Sequence, residues 1–447
     1  MKYKLIILLS FLFFGLSFAQ ENNYSFSLQE AIDFALENNR KVKNAIRDVE
    51  IAEKEKWETT ATGLPQINGN IDYQNWIKQQ VSLLPGEIAG GEPGTFVPVV
   101  FGTQQSMVAG ATLTQLLFDG SYLVGLQAAK VYLLISENSK VKTDLEVRKA
   151  VINAYGNVLL ADESLSIVEN NIAVLEKNLN ETQKIYENGL GEEESVEQLQ
   201  ITLSNLKNYQ NNNIRLRDLA YKMFNISLGI DVNSNTTLTD DLETLTLQNI
   251  SLDLLNTDDN VENAIDYRIA SNYMETQELL LKLEKSAYLP RLNGFVNAGY
   301  NGFSEEFTFA NNNQNWFGQA QFGVSMNIPI FSSGLRRASV QRARIEVAKA
   351  EEELTEVEQQ LQFQIANAKS AYQFAIDEYA NKKENLNLAE RIESKNETKF
   401  FEGIATSFEL RQAQTQLYTA QQEYLQSMFN VIAKKAELET ILNTVNY

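Results

Sequence analysis

The sequence predicts a mainly α-helical chain with a small membrane-crossing β part. Long coiled helical hairpins carry four strands per chain, and the plan is an internal duplication. The first observation is a repeat about 214 residues apart. ATGLPQINGN, a strand-like run, LLFDG and a long proline-free segment to YENGLG are answered by SAYLPRLNGF, a strand-like run, PIFSSG and a second such segment to FFEGIA. Gly120 matches Gly334 and Gly189 matches Gly403, both at an offset of 214. Self-similarity on this scale marks a repeated architecture. The second observation is the proline distribution. All 6 prolines lie in or beside the strand-like runs, and none falls between Gly120 and Leu289 or after Ser332. Proline breaks helix interiors, so these stretches are free to be long helices. The third is period-two alternation within the strand-like runs, which is the signature of β-structure with two unlike faces.

In chain order, Lys2 and Lys4, the apolar run Leu5 to Leu16 and Ser17-Phe18-Ala19 read as a secretory signal over 1–19. The run is too short for a spanning helix, which needs about 20 residues. No later stretch is an apolar 20-mer. The N-terminal helix occupies 20–65 and opens with a capping box at Ser27-Leu28-Gln29-Glu30.

The first β-hairpin occupies 66–118. Ile67, Gly69, Ile71, Tyr73 and Ile77 share one face, with Asn68, Asn70, Asp72, Gln74 and Lys78 on the other. Its partner sets Met107, Ala109, Ala111 and Leu113 against Ser106, Gly110, Thr112 and Thr114. The first long helical hairpin covers 119–229, a linking region rich in Thr, Asp, Asn and Leu covers 230–262, and a helix covers 263–289. The second β-hairpin, 290–331, sets Leu292, Gly294, Val296, Ala298 and Tyr300 against Arg291, Asn293, Asn297 and Asn301. Its return strand sets Trp316, Ala320, Phe322, Val324, Met326 and Ile328 against Gln319, Gln321, Ser325 and Asn327. Tyr73, Trp76, Tyr300, Trp316 and Phe317 fall towards the loop ends, where a membrane barrel carries its aromatic girdle.

Four strands cannot close a barrel, because the smallest has about eight, and open edges are not tolerated in lipid. If these strands span a membrane and do not form a soluble half-buried sheet, several chains must share one barrel of 8, 12 or 16 strands. The second helical hairpin covers 332–447. Leu354, Val357, Leu361, Ile365, Ala368, Tyr372, Ala375 and Tyr379 form an apolar seam spaced three or four residues apart. The chain reverses at Asn188-Gly189-Leu190-Gly191 and at Glu402-Gly403, where glycine supplies the positive φ that ends a helix.

Composition narrows the chemistry. The absence of Cys and His excludes disulfides, thiol nucleophiles, imidazole catalysis and ordinary zinc sites. The net charge of −20 disfavours nucleic acid, whose phosphates call for clustered Lys and Arg. Gly189-Leu190-Gly191 is too short for a phosphate loop, and Asp258-Asp259-Asn260 reads as a turn or cap. No catalytic, cofactor-binding or metal-binding residue is expected, and no enzyme activity.

SLQEAIDFALENN, the twin Leu64-Pro65 and Leu289-Pro290 entries, FDG and FSSG at the strand-to-helix junctions, and the tips YENGLG and FFEGIA together resemble the TolC-like outer membrane efflux protein family. The resemblance covers essentially all of the chain after 1–19. It implies a homotrimer in outer membrane lipid, with a twelve-stranded barrel and a twelve-helix periplasmic tunnel. It further implies a periplasmic adaptor and an inner-membrane pump of RND or ABC type. The export duct of a tripartite efflux or type I secretion system is then the expected role. A secreted structural coiled-coil protein is the alternative. The resemblance also implies a periplasmic gate near Glu197 in the first copy and at Glu409 and Gln412 in the second. Gln412 stands where the best-known member carries an acid. Tyr186, Gly189, Phe400 and Gly403 are the implied adaptor contacts.

Overall fold

The computed structural model describes residues 23–257 and 260–444. The expected signal over 1–19 lies outside the described residues, as do Asp258 and Asp259 of the expected turn. Asn260 is described, and its side chain accepts from the Glu262 backbone N–H to open a 3-10 turn over Val261–Asn263.

A short strand, β1 (Tyr24–Phe26), precedes helix α1 (Leu28–Asn38). The Ser27 capping box is present: Glu30 accepts from the Ser27 N–H at 2.8 Å, and Ser27 Oγ caps the Glu30 N–H. Where the sequence suggested one helix running to Leu64, there are two. The chain breaks at Asn39 and resumes as α2 (Arg40–Thr62). Asn39 explains the break. Its Oδ1 accepts from the Lys41 N–H at 2.8 Å as a local cap, and its Nδ2 donates to Ser227 O at 2.7 Å.

The remaining elements are β2 (Gln66–Asn75), β3 (Val81–Pro85), β4 (Phe96–Val100), β5 (Gln105–Phe118), α3 (Gly120–Glu187), α4 (Glu193–Leu228), β6 (Thr236–Leu238), α5 (Leu242–Gln248), α6 (Ile265–Ser286), β7 (Arg291–Ser304), β8 (Trp316–Asn327), α7 (Leu335–Phe401) and α8 (Ser407–Leu442). β3 and β4 pair as an antiparallel hairpin inside the loop of the first hairpin. In each copy, then, one pair of sheet strands is followed by two long helices.

The chain divides into two compact units. Among the described residues, one comprises 23–49, 136–257, 260–271 and 354–444; the other comprises 50–135 and 272–353. In the first, helices pack on one large core and on a smaller cluster of Val168, Ile172, Leu175, Leu199 and Leu206 between α3 and α4. The seam residues Leu361, Ile365, Ala368, Tyr372, Ala375 and Tyr379 of α7 are buried in the large core with Val151, Tyr155, Val158, Leu425, Val431 and Ile432. The linking region is tied in by buried tyrosines. Tyr155 of α3 donates to Asp240 Oδ2 at 2.9 Å, and Tyr372 of α7 donates to Asn249 O at 2.6 Å and accepts from the Ser251 N–H at 2.9 Å. β1 and β6 pair in parallel, joining the described N-terminus to the same region.

The second unit holds one four-stranded antiparallel sheet in the order β2-β5-β7-β8. The two sequence copies meet at the β5–β7 pairing, leaving β2 and β8 as free edges. Among the described residues no helix is long and apolar enough to cross a membrane.

Candidate duct wall and hairpin tips

The register of the sheet sorts its side chains into rows. Directly opposed residues share a face. Ile67, Leu113, Val296 and Phe322 therefore form one row across all four strands, and Asn68, Thr112, Asn297 and Gln321 form the adjacent row on the other face. One face is apolar and uncovered: Phe322 is 86 % exposed and Ile71 75 %. The other is mainly amide and hydroxyl, with Asp72, Val108 and Phe295 among them. A soluble sheet buries its apolar face and wets its polar one. This sheet leaves its apolar face uncovered, as the strands of a membrane barrel do towards lipid.

Aromatic rings gather at the loop end. Tyr73 lies 5.6 Å from Phe307 and 5.9 Å from Phe309, and Phe309 lies 6.1 Å from Trp316, ring centre to ring centre. Tyr73, Gly302 and Trp316 belong to the apolar face, as does Tyr300. Phe317 does not. It opposes Asn301 and so projects with Gln319 and Gln321 on the polar face, 6.2 Å from Phe303. Its place in the girdle, inferred from nearness to the loop alone, is thus corrected by strand parity. Trp76 and Ile77 lie past the end of β2.

The FDG and FSSG junctions have distinct mechanics. Asp119 Oδ1 caps α3 by accepting from the Ser121 N–H at 2.7 Å, while Oδ2 pairs with Arg291 at 2.6 Å at the start of β7. One carboxylate so joins the first helix of one copy to the first strand of the other. In FSSG, Ser333 and Gly334 both take positive φ, and Arg336 donates to Pro329 O at 2.7 Å and to Ser332 Oγ at 3.1 Å.

The two tips share a backbone. Gly189 and Gly403 each have φ of 73°. Leu190 N–H bonds to Ile185 O at 3.0 Å and Ile404 N–H to Lys399 O at 2.8 Å, the six-to-one bond of a Schellman cap. Nothing lies within 4 Å of a Cβ added at either glycine, so conformation, not crowding, requires glycine there. Tyr186 is exposed, and Phe400 is half-buried with its ring 5.4 Å from that of Phe401.

Of the residues implied for a gate, Glu197, Glu409 and Gln412 are all exposed. Glu409 has a local role that sequence reading missed. With Thr406 it forms a capping box: its carboxylate accepts from the Thr406 N–H at 2.7 Å and from Thr406 Oγ1 at 3.0 Å. These bonds hold its pKa below the usual carboxylate range. The motif Thr406-Ser407-Phe408-Glu409 carried that signal in the sequence. Ser407 Oγ lies 3.3 Å from Gln198 Oε1, linking the beginnings of α8 and α4. Higher up, Asn178 of α3 donates to Glu397 of α7 at 2.9 Å. Periodicity gave no warning of this contact, since both residues look like solvated helix positions.

Among solved structures, CusC is similar in fold, with 18 % identity over 93 % of this chain and 92 % of its own, and a TM-score of 0.75. The outer membrane protein VceC from Vibrio cholerae gives 16 %, 93 %, 95 % and 0.72. The CmeC outer membrane channel of Campylobacter jejuni gives 16 %, 93 %, 85 % and 0.72. No curated protein matches the sequence. Fold, sheet polarity and duplication thus define a class of chain that pairs a membrane sheet segment with long helical hairpins. The sequence matches the family described as outer membrane efflux protein over residues 31–221 and 270–444, and the chain belongs to that family of outer membrane channels.

Proposed function

We propose that this chain is the export duct of a tripartite efflux or type I secretion system. It passively conducts substrates delivered by an inner-membrane pump of RND or ABC type and a periplasmic adaptor. Three copies assemble in outer membrane lipid, each giving four strands to a twelve-stranded barrel, and the helical hairpins form a periplasmic tunnel. The reading is carried by one observation: an unbroken apolar row across four strands, backed by a polar row, between two unpaired edges. In lipid such edges must be paired by further strands. The adaptor docks on the tips, through Tyr186, Gly189, Phe400 and Gly403. Glu197, Glu409 and Gln412 form the periplasmic gate, where carboxylates brought together from symmetry-related chains concentrate negative potential and favour cations.

Native mass spectrometry of the protein extracted from outer membranes tests the assembly. A trimer that leaves the membrane only in detergent is expected; a water-soluble monomer or dimer would refute it. The gate is tested by Glu409→Gln. Glutamine also serves as the third residue of a capping box, so the variant removes the charge and keeps the helix start. Block of single-channel current by divalent cations should weaken, and unchanged block removes Glu409 from the gate.

A further inference from the structure

Phe303 and Phe317 break the pattern of their own face. Strand parity puts both on the amide and hydroxyl side of the sheet, with Asn301, Gln319 and Gln321. Their rings lie 6.2 Å apart, tilted at 44°, at the loop end of β7 and β8. Neither is tucked away: Phe303 is 49 % exposed and Phe317 58 %. Phe295, a third ring on this face, is held differently. A Cβ added at Gly323 would run into it, so that ring lies against the opposing backbone and is half-buried. Phenylalanine has no polar group to present to water. An exposed pair of adjacent rings on an otherwise polar wall is a contact surface for a flat apolar solute.

Charge narrows the solute. The four strands of the sheet hold just two charged residues, Asp72 and Arg291. Arg291 is paired with Asp119 at the far end of β7. Asp72 projects on the polar face, in the row that carries Asn301 and Phe317. It accepts from Asn70 Nδ2 at 2.6 Å, is exposed and has no ion pair among the described residues. The connections beyond this end of the sheet, 76–104 and 305–315, carry four glutamates and one lysine. Negative potential along a low-dielectric wall concentrates cations, and the face of an aromatic ring attracts a cation within about 6 Å. We propose that Phe303, Phe317 and Asp72 form a subsite for flat organic cations on the lumen wall. The proposal rests on the duct reading, which turns the polar face to the lumen. Within one chain three strand spacings, about 14 Å, separate Asp72 from Phe317. In the shared barrel β8 of one copy borders β2 of the next, so Phe317 of one and Asp72 of the next stand on adjoining strands. Each subsite is thus completed between copies, and three of them ring the outer end of the channel.

Single-channel current of the full chain in planar bilayers tests this. N-methylquinolinium is the flat cation, and tetramethylammonium carries the same charge without a ring; each is added on the loop side of the sheet. N-methylquinolinium should block at a concentration about tenfold lower than tetramethylammonium, since two ring faces add to the charge. Phe303→Leu and Phe317→Leu keep an apolar side chain and remove the ring, and each should weaken this block by about two- to fivefold. Asp72→Asn should weaken block by both cations, more at low salt than at high, because screening already removes the charge at high salt. Phe295→Leu, on the same face near the other end of the sheet, should leave block unchanged. Equal block by the two cations in the wild-type chain overturns the proposal, as does unchanged block in both ring variants. An equal loss in Phe295→Leu also overturns it, because the effect would then belong to the whole wall. Channels that conduct without this selectivity strike the subsite alone, whereas a water-soluble monomer strikes the duct reading and the subsite with it.

Discussion

The two hairpin tips have the same backbone and unlike chemistry. Both end a helix of nearly seventy residues on a glycine with φ of 73° and a six-to-one hydrogen bond. They differ at the next helix start. At the second tip Thr406 and Glu409 close a full capping box, whereas at the first Glu192 occupies the N-cap with no side-chain bond and two more glutamates follow. The reversal of the chain is therefore set by glycine alone, and the start of the returning helix is free to diverge. Further along, the copies converge again, as each long helix buries a tyrosine bonded to the linking region.

The tyrosines give the largest expected effect. Tyr155→Ala and Tyr372→Ala should each cost about 3–5 kcal/mol, since each leaves a cavity and an unpaired partner. Thermal unfolding of the detergent-solubilised protein reads this, and a much smaller loss at one site would mean that only one copy is anchored. Next come the glycines. Gly189→Val and Gly403→Val should each cost about 1–2 kcal/mol from left-handed strain, and by similar amounts, because neither site is crowded.

The caps should separate the tips. Thr406→Ala should cost about 1 kcal/mol and Glu192→Ala almost nothing, while Glu192→Thr with Ser195→Glu should gain about 0.5–1 kcal/mol by installing the missing box. Hydrogen exchange at the first turns of α4 and α8 would locate the change. The smallest effect is in pH. The lowered pKa of Glu409 means that its contribution is present above the ordinary glutamate range and lost as pH falls through the lowered value. Glu409→Gln should flatten that acid-side loss. Glu393 has the opposite sign: with its pKa raised, stability falls as pH rises from the ordinary glutamate value through the raised one. The acid limbs of Glu409→Gln and Glu393→Gln melting curves should thus shift in opposite senses.

Much of this architecture was legible in the sequence, for identifiable reasons. Gly189 and Gly403 mark the reversals because no other residue adopts that backbone cheaply. The α7 seam from Leu361 to Tyr379 could be read because helical spacing alone decides which residues are buried. Alternation revealed the strand faces, so the apolar row through Val296 and Phe322 was half visible before pairing supplied the rest. What escaped depends on partners distant in the chain. The break at Asn39 rests on Ser227, 188 residues away. The β5–β7 junction joins the copies without any local signal. The face of Phe317 follows from register, which nearness to a loop does not fix. At the candidate site, exposure of the expected gate residues was foreseeable, but the engagement of Glu409 by Thr406 went unread although its motif was there. The Asn178–Glu397 contact and the buried Gln414 needed three helices in place.

The two free strands also shape how the protein is made. Until they are paired, β2 and β8 offer hydrogen-bonding groups to any extended chain, beside an apolar surface that water does not tolerate. In the assembly proposed above, closure and aggregation begin from the same edges, and both depend on encounters between copies. Crowding newly made chains accelerates the two reactions together, so the yield of finished channel should pass through an optimum with synthesis rate instead of rising with it.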